Sequence, residues 1–293
     1  MKLSIVIAAT ATDPLQNCLR ALKADTSGAK PLLLVVHADQ AELAACARSF
    51  AFTVQELGMA PASIFKMRRA GFAEASSEFV ASLGERYTPC PGWLTAAREC
   101  LTWDVLTGPI TPSSTLSLVG WSIYLAEYSH LFGLQKRLGS IATDALRIPG
   151  GNAVYNRQFV HSIADENEMA FHARLAAEGC RFGYSTQLAV EFATPQGWLE
   201  YLAERYQLSC EWGGQLAREH SAAGRLLLAL SRLSLPFLLI SRRGLAVWLA
   251  RRYRVRFVLT LPLLVLYSVL EMAGEMTGIL LSIRTVDKPD RLP

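Results

Sequence analysis

The sequence predicts an α/β protein, in which a mostly parallel, twisted sheet is flanked by helices and followed by a C-terminal, membrane-associated helical region. Short apolar runs rich in β-branched residues alternate with helical stretches through the first hundred positions. This alternation is typical of parallel sheets whose strands are joined by helices. From residue 226 onward the chain becomes strongly apolar and rich in arginine. We therefore expect two domains, residues 1–215 for the sheet and residues 216–293 for the helical tail.

The predicted elements follow in chain order. Short apolar runs predict strands at 3–9, 32–37, 52–56, 79–83, 153–155, 182–184 and 188–192. Helical patterns lie at 14–24, 41–50, 61–75, 93–102, 121–138 and 168–178. Asp13 is expected to cap the first helix, and Gly179 to end the last of these. Because ligands bind outside the carboxyl ends of parallel strands, residues 8–12, 37–40 and 84–88 are expected to form the functional edge.

Composition limits the class of protein. The 293 residues are 51% hydrophobic and 18% charged, which excludes a disordered or collagen-like chain. Residues 1–220 carry a net charge of −3 and residues 221–293 carry +7. A basic, apolar tail favours an anionic membrane surface as partner over nucleic acid. The six cysteines show neither a C-x-x-C spacing nor an accompanying histidine cluster, which favours free thiols over zinc ligands or disulfides.

Four segments resemble family 2 glycosyltransferases. Residues 67–80 (MRRAGFAEASSEFV) resemble the ARNxG…AxGEYV segment of that family, and residues 83–94 (LGERYTPCPGWL) are similar to its LDDDxxxxPGWL. Residues 150–157 (GGNAVYNR) resemble the acceptor-side GGNxx[FY]xR, and residues 167–179 resemble the helix that begins with ED. The resemblance implies the Rossmann-like GT-A fold. It also implies an inverting transfer of sugar from a nucleotide-diphosphate sugar donor.

The resemblance also implies roles for individual residues. Glu168 takes the position of the general base, with Asp165 and Glu166 as nearby rivals. As an alternative, Glu168 is an acid of the first helical turn that the helix dipole stabilises. Residues on the donor side are Thr10, His37, Asp39, Arg68, Arg69, Glu85 and Arg86. Residues on the acceptor side are Gly150, Gly151 and Asn152.

The chain departs from the family at the metal site. Family members bind Mg²⁺ or Mn²⁺ through an Asp-x-Asp, but here Gly84 and Arg86 stand at the ligand positions. Only Glu85 between them is acidic, which leaves it as the candidate for a residual metal ligand. In one reading Arg86 replaces the metal, with help from Arg68 or Arg69, because guanidinium groups suit diphosphate oxygens. In a second reading the donor site is lost and the domain is a scaffold. In a third, Arg86 is a solvated surface residue.

Two apolar segments form the tail, residues 226–240 and 257–283, and six arginines lie between them. A carboxylate at the bilayer centre costs about 3 kcal/mol, so Glu271 and Glu275 argue against a simple span. We expect peripheral or monotopic attachment at the cytoplasmic face, through anionic lipids. True spans, or a soluble lobe or dimer interface, are the alternatives.

The resulting hypothesis is a glycosyltransferase of envelope polysaccharide or glycoconjugate synthesis, with a lipid-linked saccharide as acceptor. A catalytically degenerate, glycosyltransferase-like scaffold or binding subunit is the alternative. The cofactor is Mg²⁺ or Mn²⁺ as in the family, or none, and a homodimer or a complex subunit stays open. We expect no nucleic-acid partner.

Overall fold

The structure is a computed structural model that describes residues 3–25, 31–38, 40–50, 52–60, 62–98, 102–132, 148–160, 168–193, 197–218 and 220–286. The chain forms two compact units. The first comprises Met1–Thr115 and Gly133–Thr194, and the second comprises Leu116–Phe132 and Pro195–Pro293. The predicted domain border between residues 215 and 216 falls within a helix of the second unit.

The helices and strands are numbered in chain order through both units. They are β1 (Leu3–Ala9), α1 (Thr12–Ala24), β2 (Leu32–Ala38), α2 (Ala41–Arg48), β3 (Thr53–Met59), α3 (Ile64–Glu74), β4 (Phe79–Gly84), β5 (Tyr87–Pro89), α4 (Trp93–Arg98), β6 (Val105–Thr107), β7 (Ile110–Pro112), α5 (Leu118–Tyr128), β8 (Asn152–Asn156), α6 (Arg157–Val160), α7 (Glu168–Ala177), β9 (Phe182–Tyr184), β10 (Val190–Phe192), α8 (Trp198–Leu216), α9 (Ala222–Ser231), α10 (Leu235–Ala250) and α11 (Arg254–Val286). Short 3₁₀ turns follow α5 and α9.

A seven-stranded sheet organises the first unit, with strand order β3-β2-β1-β4-β8-β6-β9. β8 is antiparallel to both of its neighbours, and the other pairs are parallel. A small second sheet has the order β5-β10-β7. The predicted α/β class and the predicted strands are therefore confirmed. Strands of three residues offer too few positions for a clear period, so the pattern found two of them, β9 and β10, and missed three, β5, β6 and β7.

β1 pairs in parallel with β2 on one side and with β4 on the other, so the carboxyl ends of the three strands lie together at one edge of the sheet. β1 is buried along its whole length, as expected of a strand with both faces covered. In the register, Ile5 lies between Leu33 of β2 and Ala81 of β4. A Cβ atom on Gly71 of α3 would collide with Val6 of β1, so this glycine lets α3 lie directly on the sheet. The carboxyl ends of the three strands thus meet where the sequence predicts the functional edge.

The two predicted helix ends have different outcomes. Gly179 follows α7 with a φ of +79°, the left-handed conformation that favours glycine at this position, as predicted. The prediction that Asp13 caps α1 is wrong: the helix begins at Thr12, and the cap position is Ala11, whose side chain forms no capping hydrogen bond. The carboxylate of Glu85, which is distant in sequence, instead accepts hydrogen bonds from the backbone N–H groups of Thr10 and Ala11, just before the helix.

Small residues set the packing of α8 against α11 in the second unit. A Cβ atom on Gly213 would collide with the carbonyl oxygen of Glu275, and one on Gly278 would collide with that of Cys210. Gly274 and Gly278 form a G-x-x-x-G on α11. Such spacing of small residues lets two helix backbones approach closely.

Both acidic residues of α11 face inward. Glu271 is buried and accepts hydrogen bonds from Arg205 of α8 at 3.1 Å and from Arg243 of α10 at 3.2 Å. Glu275 pairs with Arg232 at 3.4 Å. Arg243, one of the six arginines between the two predicted apolar segments, is therefore buried and paired with Glu271. The cost assigned to a bare carboxylate in a bilayer does not apply to these paired groups.

Apolar side chains cover much of the outside of α9, α10 and α11. Examples are Leu227, Phe237 and Val255, each more than 70% exposed. By length and composition, two segments are apolar enough to cross a membrane, Ala222–Ala250 and Arg254–Leu281. The aromatic residues of α5 lie in a core instead: Trp121 and Tyr124 are buried and pack against each other. The aromatic residues of the predicted helix at 121–138 therefore pack internally up to Phe132, and residues 133–138 lie outside the described part.

Candidate functional site

Glu85 ties the end of β4 to the loop after β1. Its carboxylate accepts hydrogen bonds from the backbone N–H groups of Thr10, at 2.8 Å, and Ala11, at 3.1 Å, and also from the Thr10 hydroxyl. The side chain is 4% exposed. Burial raises the pKa of Glu85, and the hydrogen bonds from Thr10 and Ala11 oppose this shift. Glu85 and Thr10, two residues assigned to the donor side, thus meet directly.

Glu168, at the first position of α7, is held on both carboxylate oxygens. Its Oε2 accepts a hydrogen bond from Nη1 of Arg68 at 2.7 Å, and its Oε1 accepts one from the backbone N–H of Gly150 at 2.6 Å. A Cβ atom on Gly150 would collide with the Glu168 carboxylate. Three residues that the sequence assigns to base, donor side and acceptor side therefore form one cluster.

Tyr87 closes this cluster on one side. Its ring lies against Gly84 and Gly151, where Cβ atoms would come within 2.8 Å and 2.7 Å of ring atom Cε2. A Cβ atom on Gly151 would also lie 3.0 Å from Nη2 of Arg68. The backbone N–H of Gly84 donates to the carbonyl oxygen of Gly151 at 2.8 Å. Sequence reasoning missed Tyr87, although it lies in the predicted functional segment 84–88 and is aromatic.

Arg68 has an incompletely satisfied guanidinium. Its side chain is 13% exposed, and its buried Nε finds no hydrogen-bond partner among the residues that the structure describes. Nη1 is committed to Glu168, while Nη2 faces Gly151. A buried guanidinium with spare donors can bind additional oxygen atoms of an anion.

Asn152 has a structural role in the described part of the fold. Its side chain is fully buried, accepts a hydrogen bond from the Trp93 indole at 3.0 Å and donates to the carbonyl oxygens of Gly108 and Leu188. These bonds use both the oxygen and the nitrogen of the side-chain amide. Asn152 thereby fixes the path of Gly150 and Gly151 rather than presenting a free amide of its own.

His172 and Tyr155 form a buried pair behind Glu168. The Tyr155 hydroxyl lies 2.9 Å from Nε2 of His172, and the two rings stack. Burial lowers the pKa of His172 to about 4, with an opposing effect from Glu168 and a further lowering from Arg68. His172 is therefore neutral at physiological pH. His172 is buried because it lies on the inner face of α7, one turn after Glu168.

The remaining predicted site residues have separate locations. Arg86 follows Glu85, with its Nε 4.0 Å from Oε1 of that residue, and Arg69 is half-buried on α3. His37 is buried at the end of β2, next to the end of β1. Asp39, Asp165 and Glu166 lie outside the described residues.

A divalent cation does not fit Glu85 in this arrangement. Hard cations take several oxygen ligands, but the Glu85 oxygens already accept three hydrogen bonds and its neighbours are Gly84 and Arg86. Across the described residues, no group of three or more His, Cys, Asp or Glu side chains could hold a metal ion.

Comparisons with known proteins place the fold. No protein-family model matches the sequence, and no curated protein matches it. Among solved structures, the chain is similar to S. aureus TarS 1-349 in complex with UDP-GlcNAc, with a TM-score of 0.52 and 14% identity over 98% of this chain and 92% of that one. It is also similar to the mannosyltransferase PcManGT from Pyrobaculum calidifontis in complex with GDP-Man and Mn²⁺, with a TM-score of 0.53 and 13% identity over 99% and 88%.

These similarities confirm the predicted fold class. The mostly parallel sheet flanked by helices matches that of GT-A glycosyltransferases. At this level of identity the likeness concerns the fold alone, so the activity has to be argued from the site.

Proposed function

We propose that this chain is an inverting glycosyltransferase that uses a nucleotide-diphosphate sugar as donor and a membrane-held, lipid-linked saccharide as acceptor. The cluster of Arg68, Glu168 and the Gly150 N–H at the functional edge is the observation that carries the proposal. It places a carboxylate, a cation and a close-approach glycine together on the scaffold shared with the two neighbours. Those neighbours were solved with UDP-GlcNAc and GDP-Man, and we propose a donor of the same class.

In the proposed step Glu168 acts as general base. It accepts the proton of the acceptor hydroxyl as that oxygen attacks the anomeric carbon of the donor. The bond from this carbon to the diphosphate oxygen breaks, and the nucleotide diphosphate leaves with both bonding electrons. Attack opposite the leaving group inverts the configuration at the anomeric carbon. Arg68 has to release or share Glu168 before this carboxylate can accept the proton.

Arginine takes the place of a metal at the diphosphate in this proposal. Glu85 is used within the fold, so the proposal assigns the positive charge at the diphosphate to the guanidinium groups of Arg68, Arg69 and Arg86. Planar guanidinium donors match phosphate oxygens and remain charged at every relevant pH. Thr10 and His37, at the ends of β1 and β2, and Asp39 after β2 stay candidates for contact with the nucleotide base.

Attachment of the second unit to the cytoplasmic face of a membrane would supply a lipid-linked acceptor. The exposed apolar side chains of α9, α10 and α11 support this attachment. Arg242 is exposed halfway along α10, where a spanning helix would place it in the hydrocarbon core. This position favours helices that lie in the membrane interface, a peripheral or monotopic arrangement. Envelope polysaccharide or glycoconjugate synthesis is the process that fits such an acceptor.

A binding subunit without turnover is the second candidate. It is favoured because both carboxylate oxygens of Glu168 already accept hydrogen bonds, at 2.7 Å and 2.6 Å. A chain of this kind would bind a lipid-linked saccharide or a protein partner, as a homodimer or within a complex.

Thermal shift with UDP, GDP and their sugar conjugates separates the two candidates. For the enzyme we expect stabilisation by one nucleotide diphosphate that persists in EDTA and is lost in Arg86→Ala. Arg181→Ala, at an exposed arginine of the same unit, serves as the control and should keep the stabilisation. If no nucleotide stabilises the wild-type chain, the donor site is absent and the scaffold is favoured. If Mn²⁺ is required, arginine does not replace the metal.

A further inference from the structure

The second unit contains a long segment without acidic residues. Between residues 220 and 270 the chain has eight arginines and neither Asp nor Glu. Three of these arginines serve the fold: Arg225 donates to the carbonyl oxygen of His220, Arg232 pairs with Glu275, and Arg243 pairs with Glu271. The other five are exposed.

Four of the exposed arginines lie in the connection between α10 and α11. They are Arg251, Arg252, Arg254 and Arg256. We call residues 251–256 the arginine turn. All four fall within six residues, so the turn concentrates positive charge that would attract an anion.

The backbone of the arginine turn is held in a defined conformation. Arg251 and Tyr253 have φ values of 56° and 57°, in the left-handed region that residues other than glycine rarely adopt. The Tyr253 ring packs 5.1 Å from Trp121 and 5.6 Å from Phe132, centroid to centroid. This aromatic contact anchors the turn to the packed side chains of α5 and its neighbourhood.

Two of the guanidinium groups are oriented by aromatic rings. The guanidinium carbon of Arg254 lies 5.5 Å from the centre of the Trp248 ring, and that of Arg256 lies 5.3 Å from the Trp121 ring. Arg254 Nη2 also donates to the carbonyl oxygen of Trp248 at 3.0 Å. A guanidinium has five N–H donors, so both groups keep donors for an anion. Ring contact also reduces the entropy lost when they bind one.

Exposed apolar side chains border the arginine turn on both sides. Leu249 is 67% exposed and Val255 is 72% exposed, with Trp248, Val258 and Leu259 beside them. A soluble phosphate would leave these side chains in water. A lipid with a phosphate headgroup satisfies both parts of the surface, since its acyl chains cover the apolar side chains. Arginine and tryptophan next to apolar helices are typical of the headgroup level of a bilayer.

We propose that the arginine turn is a preformed binding site for the phosphate groups of anionic phospholipids. The proposal rests on the proposed membrane attachment and adds to it the place and the chemistry of lipid recognition. The attachment itself comes from the apolar faces of α9, α10 and α11. The arginine turn makes it selective for anionic lipid and sets which part of the second unit meets the headgroups.

Co-sedimentation of the full chain with vesicles tests this site. The two vesicle types are phosphatidylcholine alone and phosphatidylcholine with about one third phosphatidylglycerol. We expect preference for the anionic vesicles, and about tenfold weaker binding to them in Arg254→Gln/Arg256→Gln. Arg251→Gln/Arg252→Gln leaves the ring contacts in place and should weaken binding similarly. Arg20→Gln/Arg181→Gln removes the same charge from exposed positions of the first unit and should bind as the wild type does.

Each other outcome has a distinct meaning. If the chain binds anionic vesicles but both turn variants bind as tightly as the Arg20/Arg181 control, the site is wrong while the attachment stands. Equal binding to both vesicle types also overturns the site. Displacement by millimolar inorganic phosphate at constant ionic strength would assign the turn to a soluble anion instead. Binding to neither vesicle type overturns the membrane attachment itself.

Discussion

Arg68 and Glu168 are 100 residues apart in the chain and are joined by a hydrogen bond of 2.7 Å between Nη1 and Oε2. Arg68 belongs to α3, which packs against the sheet, and Glu168 is the first residue of α7. The pair links the group proposed to bind the donor diphosphate with the group proposed to deprotonate the acceptor. A donor diphosphate that draws Arg68 away would therefore also free the base.

Glu168→Gln is expected to separate these two roles. Turnover should fall by about a hundredfold or more, because an amide cannot accept the proton. Affinity for the nucleotide diphosphate should rise, since the variant leaves the positive charge of Arg68 without a neutralising partner. Titration calorimetry with UDP and GDP, together with a donor-consumption assay, measures both quantities. Glu178→Gln, at an exposed acid just after α7, is the control. Unchanged turnover in Glu168→Gln would remove Glu168 as the base.

Gly150→Ala tests the geometry around the base. The new Cβ atom would collide with the Glu168 carboxylate, so this side chain has to move and its hydrogen bond from the Gly150 N–H is lost. We expect turnover to drop to the level of Glu168→Gln, with a loss of stability of about 1–3 kcal/mol. Gly197→Ala adds a Cβ atom whose nearest contact is 3.9 Å away, and it should be neutral. Full activity of Gly150→Ala would contradict the assigned cluster.

Glu85→Ala tests whether this carboxylate serves the fold or a metal. Removing it leaves the N–H groups of Thr10 and Ala11 and the Thr10 hydroxyl without their acceptor, which should cost about 3 kcal/mol. The thermal midpoint should therefore fall equally in EDTA and in Mn²⁺. Exposed Glu78→Ala is the matched control. If Mn²⁺ raises the midpoint of the wild type but not that of Glu85→Ala, Glu85 is a metal ligand after all.

His172 predicts a loss of stability in acid. Its pKa is about 4 in the fold against about 6.5 in the unfolded chain, so the unfolded state binds a proton at pH values where the fold does not. The stabilising effect of this neutral histidine is complete above pH 6.5 and decreases as the pH falls toward 4. By pH 5 the loss should reach about 2 kcal/mol. Thermal midpoints across this range should fall less in His172→Gln, whose amide can still bond to Tyr155. Equal pH profiles would show that His172 does not cause the effect.

Gly278→Ala tests the contact between α8 and α11. Its Cβ atom would collide with the carbonyl oxygen of Cys210, so the helices have to separate. We expect the second unit to lose about 1–3 kcal/mol of stability and to become more sensitive to protease. Gly224→Ala, near the start of α9, meets its nearest atom at 3.4 Å and should be tolerated. Equal protease resistance of the two variants would contradict the tight contact.

Local patterns predicted six of the seven strands of the large sheet, and with them its functional edge. Apolar runs fixed β1, β2 and β4, and their carboxyl ends placed Thr10 and Glu85 in neighbouring loops. The pairing within that edge was not predictable, because it depends on loop paths between residues far apart in sequence. No local pattern shows that Glu85 bonds to the turn at Ala11, or that Arg68 turns toward Glu168.

The charges of the tail show the same limit. Composition located the basic segment but could not separate Arg243, which pairs with Glu271 inside the second unit, from the exposed Arg251. That distinction depends on which face of α10 meets α11.

The division of the chain has a consequence for its synthesis. Ser122 on α5 bonds to Tyr267 on α11, and the two residues are separated by 145 positions. At ordinary translation speeds, α5 leaves the ribosome on the order of ten seconds before the helix that covers it. During that interval the aromatic side chains of α5 have to be shielded by a chaperone, by the membrane or by temporary contacts. A chain truncated before α11 would lack the helix that covers these side chains. A soluble first unit therefore requires replacement of residues 116–132, as well as removal of the tail.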